Sequence, residues 1–431
     1  MRISKLVAAL FSLLSTPLAA QGITPQQPVP PVVTILPVFP APAPATPAPA
    51  RETPAQALAE DAAEYARQFA VPLAEAQRRL VAQDASVAAT DAIAETYRAR
   101  LAGIAIEHRP TYQIVVSLTG TTPVAQQRVA VGGTTVPIVF RTGASVTRDR
   151  VIWAMTNHQA AIRAALRTPP GMGLDPRTGE LVVTIGNADA RDGVDVIRQR
   201  IEAIAGVPVQ VRALDHVDVN LAVEGGARVD GVNPDDGKRY LCTTGFAVTD
   251  GTRSAITTAA HCVDALSYRD RTGTRVALPF VAQWGWGYRD IQINASPEPL
   301  APTFFADTAK TRVRGVTGQR SRASTRAGDF VCHRGERTGY SCALVQLTDF
   351  APAGDLCGGA CLPTWVAVAG PTCKGGDSGS PVFTGTTALG IVKGASYRRD
   401  GSCAFYFYMA LDYLPEGWSV IREVAQDFST R

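Results

Sequence analysis

No cysteine precedes Cys242, yet eight lie between Cys242 and Cys403. The first half of the chain can hold no disulfide. An even count gathered in the second half reads as four disulfides in one domain made for an oxidising compartment. None of the eight has the Cys-x-x-Cys or Cys-x-x-His spacing of a zinc site, so no metal and no other cofactor is expected. Histidine is scarce too: of five, only His261 and His333 fall after Leu221. A net charge of +4 gives no reason to expect a nucleic-acid partner, and none is expected. After the first twenty residues no stretch reaches the roughly 18 uninterrupted apolar residues of a spanning helix, so no membrane span is expected. With 46% hydrophobic and only 19% charged residues, disorder over most of the chain is excluded.

What is present divides the chain into four parts. Arg2 and Lys5, the apolar run Leu6 to Leu14, and Leu18-Ala19-Ala20 read as a signal peptide over residues 1–20, so the product should be secreted or periplasmic. Residues 21–54 are dominated by Pro and Ala ("APAPATPAPA") and form an extended spacer. Residues 55–222 are α+β. Helical spacing runs over Ala57 to Phe69, Leu73 to Leu80, Val87 to Leu101, Val151 to Leu166 and Val194 to Ile204. Strand alternation marks Tyr112 to Gly120, Gln127 to Phe140, Leu181 to Ile185 and Val207 to Val211. From 223 to 431 short β runs alternate with Gly-, Thr- and Ser-rich turns, the pattern of an all-β domain. Trp418, Ile421 and Val424 predict a closing helix over about Glu416 to Phe428. Arg312, Arg314, Arg320, Arg322 and Arg326, with no acid among them, read as a solvated, mobile loop, or else as a site for an acidic substrate or polymer.

Two strings carry chemistry: "TTAAHC" (Thr257 to Cys262) and "GGDSGSP" (Gly375 to Pro381). A serine hydroxyl is a poor nucleophile at neutral pH and needs a base to take its proton. An imidazole can accept that proton and hand it to a leaving amine, and a buried carboxylate can fix its tautomer. His261 stands after a small, apolar run, whereas His333 sits in an exposed-looking hairpin. Ser378 lies among glycines, which let a backbone approach a substrate closely. Asp290 heads the β-like Ile291-Gln292-Ile293. Asp264 and Asp270 lie too near His261 in sequence, and Asp307 is the reserve candidate.

Together the strings resemble the catalytic motifs of trypsin-like serine proteases, and among them secreted bacterial members of the streptogrisin and α-lytic protease type. "VCHRGERTGYSC" (Val331 to Cys342) is similar to a hairpin of those enzymes, and residues 55–222 look like their prosegments. The resemblance implies two packed six-stranded antiparallel barrels after residue 222, closed by the C-terminal helix and preceded by an α+β prosegment. It implies a serine endopeptidase acting on protein or peptide substrates, with its own prosegment as partner and removal near Leu221 to Gly226. The implied triad is His261, Asp290 and Ser378, with an oxyanion hole from the N–H groups of Gly376 and Ser378. The implied disulfides are Cys242–Cys262, Cys332–Cys342 and Cys373–Cys403, leaving Cys357 with Cys361.

The pattern departs from the family in places. Thr372, Lys393, Gly394 and Ala395 occupy substrate-pocket positions, where Lys393 replaces a small residue and Ala395 a glycine. Phe405 or Tyr406 could narrow the pocket further, which favours small or medium apolar side chains before the cut. Asp377 needs a buried partner, either a freed amine at Val223 or a group near His333 and Arg334. A protease-like binding protein without activity, or an esterase, would carry the same strings.

Overall fold

The computed structural model describes residues 49–214, 218–220, 227–269, 275–296, 300–370 and 372–423, all within one compact unit from Thr46 onward. The signal peptide, residues 21–48 of the spacer, and Val223 to Gly226 lie outside the described residues. The protein is mostly β. Among the described residues every α-helix precedes Gly206 and lies within residues 54–205, almost wholly inside the block 55–222 read as α+β.

The second half contains a closed six-stranded antiparallel barrel. Its strands follow one another around the wall as Phe330–Gly335, Pro381–Thr384, Thr387–Tyr397, Cys403–Ala410, Trp365–Ala369 and Gly339–Ala351, and the last pairs with the first. These strands are Val-, Phe- and Tyr-rich runs buried on both faces. One core holds Val331, Val345, Val368, Val382 and Tyr408, while Phe330 and Phe383 belong to a second, larger core.

Among the described residues, 228–269 and 275–295 show no ladder that closes a second barrel. They form two sheets with separate ladders, one of four strands (Arg239–Thr243, Arg228–Val232, Leu266–Arg269, Arg275–Leu278) and one of five. The five-stranded sheet runs Phe280–Trp284, Ile291–Ala295, Ser254–Thr258, Ala247–Thr249 and Ser419–Val420. Its last member corrects the expected closing helix. Ser419 and Val420 pair with Thr249 and Val248, and residues 421–423 are not helical; the rest of the expected helix lies outside the described residues. A short helix on its own is marginal, whereas an edge strand supplies a ready ladder.

The N-terminal block packs on the barrel. Thr53 and Gln56 form a reciprocal capping box with Pro54 in the first turn, opening helix α1 (Pro54–Phe69), and α2 (Leu73–Ala85) and α3 (Val87–Thr96) follow. The pattern that predicted helix to Leu101 stops at Thr96, and Leu101–Glu107 is a strand. Ala50–Glu52, expected in the spacer, is a strand parallel to Arg312–Gly315. Gly171–Asp175 pairs antiparallel with the barrel strand Gly339–Ala351, so a sheet of the block is continuous with the barrel wall.

That contact overturns the reading of the arginines as a solvated loop. Arg314 is fully buried against Glu52, Glu60 and Asp61 at 2.8–2.9 Å, and Arg320 pairs with Asp84 and Asp329. Arg326 is also buried. Three of these five acids (Glu60, Asp61, Asp84) are helix residues more than 200 positions away, so no local pattern could announce the pairing.

Candidate active site

Strand register brings His261 and Asp290 together. Thr258 lies opposite Gln292, so the residues just past one strand and just before the other meet at the same sheet end. The His261 backbone N–H donates to Asp290 Oδ1 at 3.1 Å, and Nδ1 lies 2.7 Å from Oδ2. A carboxylate can only accept, so Nδ1 carries the hydrogen and Nε2 is left as the acceptor. Nε2 lies 2.8 Å from Ser378 Oγ. Ser378 reaches this point from the other half of the protein: its carbonyl accepts from Thr243 N–H at 2.7 Å, and Gly379 N–H donates to Val392 O at 2.7 Å. Gly379 has φ +83°, and a Cβ there would lie 2.3 Å from Thr243 O, so the junction requires glycine.

Asp290 is buried, and burial by itself would raise its carboxyl. The neighbouring charges and hydrogen bonds of His261 and Lys393 outweigh it and hold the group well below the ordinary carboxylate range. Asp307, the reserve candidate, is engaged elsewhere, accepting from the N–H groups of Thr311 and Arg312 and from Thr311 Oγ1.

Around Ser378 the chain turns tightly, with Gly376 at φ +119°. Among the described residues the main-chain N–H groups of Gly376 and Ser378 have no acceptor, although both residues are buried. Two free donors flanking a nucleophile are what a developing oxyanion needs. Asp377 between them is buried, which pushes its carboxyl up to about 6 despite hydrogen bonds from Thr338 Oγ1 and the N–H groups of Lys374 and Arg337. Its Oδ1 lies so close to Gly335 that a Cβ there would overlap it. His333, expected in an exposed hairpin, is buried and meets Asp377 only through Thr338 Oγ1, 3.3 Å from its Nε2. Arg334 turns to Glu336 and the carbonyls of Asp307 and Thr308. Thr338 carries no sequence signal for this role.

Of the pocket positions, Thr372 is exposed, while Gly394 and Ala395 pair antiparallel with the chain's own Asn220 and Val219. Lys393 does not share that setting: its Nζ lies 3.1 Å from Asp290 Oδ2. Tyr406 packs on His333 at 4.7 Å, and Phe405 lies in the core with Phe350 and Phe407. All eight cysteines are paired as Cys242–Cys262, Cys332–Cys342, Cys357–Cys361 and Cys373–Cys403, the last joining the chain just before the Ser378 turn to the strand start at Cys403.

No protein-family model matches the chain. A stretch of 175 residues, 38% of the chain, is 29% identical to streptogrisin-C of Streptomyces griseus. The chain is similar to bacterial trypsin/chymotrypsin-like serine proteases. It spans about a third of that relative's length (35%). Two solved proteases of this kind also align with the chain. Thermobifida fusca protease A matches at 20% identity and TM-score 0.36, over 47% of this chain and 99% of that one. Nocardiopsis protease matches at 22% and 0.34, over 44% and 93%.

Proposed function

We propose that this protein is a secreted serine endopeptidase made as a precursor, with His261, Asp290 and Ser378 as its triad. The observation that carries the proposal is the unbroken line of hydrogen bonds from Ser378 Oγ through the His261 ring to the Asp290 carboxylate. Ser378 Oγ attacks the scissile carbonyl carbon as its proton passes to His261 Nε2, and the carbonyl oxygen takes up negative charge facing the Gly376 and Ser378 N–H groups. His261 then returns the proton to the departing amine, the C–N bond breaks, and an acyl-enzyme remains on Oγ. Water repeats the cycle in reverse sense and frees the serine. Asp290 stays ionised throughout and stabilises the imidazolium. No step requires a metal or cofactor.

The N-terminal block, residues 55–222, is the prosegment in this reading, and residues 1–20 direct export. The backbone ladder between Asp218–Asn220 and Gly394–Ser396 supports this assignment, because it fills a strand edge that a substrate would otherwise pair with. Four disulfides are consistent with maturation outside the cytosol. A fluorophosphonate probe should label the processed protein at Ser378, and the protein should clear casein. Labelling that persists in Ser378→Ala would reject the assignment. Labelling without casein turnover would favour the esterase, and neither would favour a binding protein.

A further inference from the structure

We infer that Lys393 is a positioning residue of the triad rather than a wall of the substrate pocket. Its place in the chain explains how it reaches the site. In the strand Thr387–Tyr397, Val392 pairs with Tyr408 and Gly394 with Phe407, leaving Lys393 as the extra residue of a bulge. A bulge re-aims the side chain it carries, and bulges gather beside active sites. Here the re-aimed side chain runs inward. Lys393 is 1% exposed, and its ammonium lies 3.1 Å from Asp290 Oδ2, itself on a side chain 1% exposed. The same ammonium sits 5.1 Å from the centroid of the buried Trp365 ring, a favourable face for a cation.

The donor count on Asp290 shows what the lysine adds. Oδ1 accepts the His261 backbone N–H; Oδ2 accepts both His261 Nδ1 and Lys393 Nζ. Without the lysine the buried carboxylate would keep its two hydrogen bonds from His261, but its charge would face a neutral imidazole with no cation beside it. With Lys393 beside it the charge of the resting carboxylate is balanced, and Oδ2 is fixed by a second donor. His261 thus keeps Nδ1–H pointed at Oδ2 and Nε2 pointed at Ser378 before a substrate arrives. Lys393 touches no reacting atom; it acts through Asp290. This inference rests on the protease reading and names a residue that the reading alone would leave in the pocket.

The test uses processed protein carrying Lys393→Met, with fluorescent casein as substrate and fluorophosphonate labelling to count folded sites. A positioning role predicts a fall in kcat on the order of 10- to 100-fold with KM nearly unchanged, as misplacing a catalytic group by a fraction of an ångström does. It also predicts that Lys393→Met costs little further activity once Asp290 is Asn, because the two substitutions break one arrangement. If the losses multiply, or if KM and side-chain preference change while kcat holds, the inference is overturned and Lys393 returns to the pocket. Should the Met protein fail to fold, Lys393→Gln, which keeps a hydrogen-bond donor without the charge, is judged by the same kcat, KM and double-substitution outcomes. Wild-type protein that does not label at all would overturn the protease reading itself. Wild type that labels at the same rate as Lys393→Met would overturn only the lysine inference.

Discussion

Protonating His108 should loosen the grip of the N-terminal block on the barrel. His108 lies in the block, but its Nε2 is 2.7 Å from the carbonyl of Gly328, next to the barrel strand Phe330–Gly335. A carbonyl can only accept, so Nε2 carries the hydrogen, and Nδ1 accepts from Tyr65 Oη at 2.7 Å. The neutral ring is thus fully satisfied. Tyr65 comes from α1, Arg79 of α2 donates to the His108 carbonyl, the rings of Phe69 and Tyr112 flank the imidazole, and Asp329 and Arg177 are the nearby charges from the other elements. Burial lowers the group from 6.5 to about 4, against a smaller upward pull from the Gly328 hydrogen bond. A histidine whose folded value is depressed binds its proton more readily when unfolded. Its contribution is therefore fully present above about pH 6.5 and is lost as pH falls through about 4. The difference is worth about 3 kcal/mol. Urea unfolding of the Ser378→Ala chain, which lacks the proposed nucleophile, should show this between pH 7 and pH 4. Over that range it should lose about 3 kcal/mol more than the same chain carrying His108→Gln. His333, also lowered to about 4 by burial, is common to both proteins and cancels in the difference. Curves that fall in parallel would refute the reasoning.

Two further outcomes are expected. Asp290→Asn should leave the fold intact but reduce kcat by about 10⁴, because the imidazole loses the partner that fixes its tautomer; a near-normal rate would shift the role to Asp307. Arg314→Met should destabilise the Ser378→Ala chain by about 3–5 kcal/mol at pH 7, since buried Asp61 would lose its cation and Glu52 and Glu60 would keep only the half-exposed Arg312. Part of that loss should return as pH is lowered toward 4, because burial and the neighbouring Glu52 already raise the Glu60 carboxyl and it can take up a proton. Thermal unfolding at the two pH values checks this, and an equal loss at both would contradict the ion-pair account.

The chain alone determined what is local. Helical spacing marked α1 and α2, alternation marked the strands, and two short strings singled out His261 and Ser378, because a reactive group and its turn are written in consecutive residues. Asp290 was legible from its place at the head of a strand. Tertiary structure decided the rest. The direction of Lys393 depends on a bulge, which shifts register without changing the residue pattern. The burial of Arg314 depends on carboxylates from the far end of the chain, and Asp377 found Thr338 rather than His333 because a hairpin had first to close. The tail paired as a strand where its spacing suggested helix, because an open sheet edge lay within reach. Charges and ladder edges find partners through space, and spacing along a chain carries no information about which distant segment will arrive there.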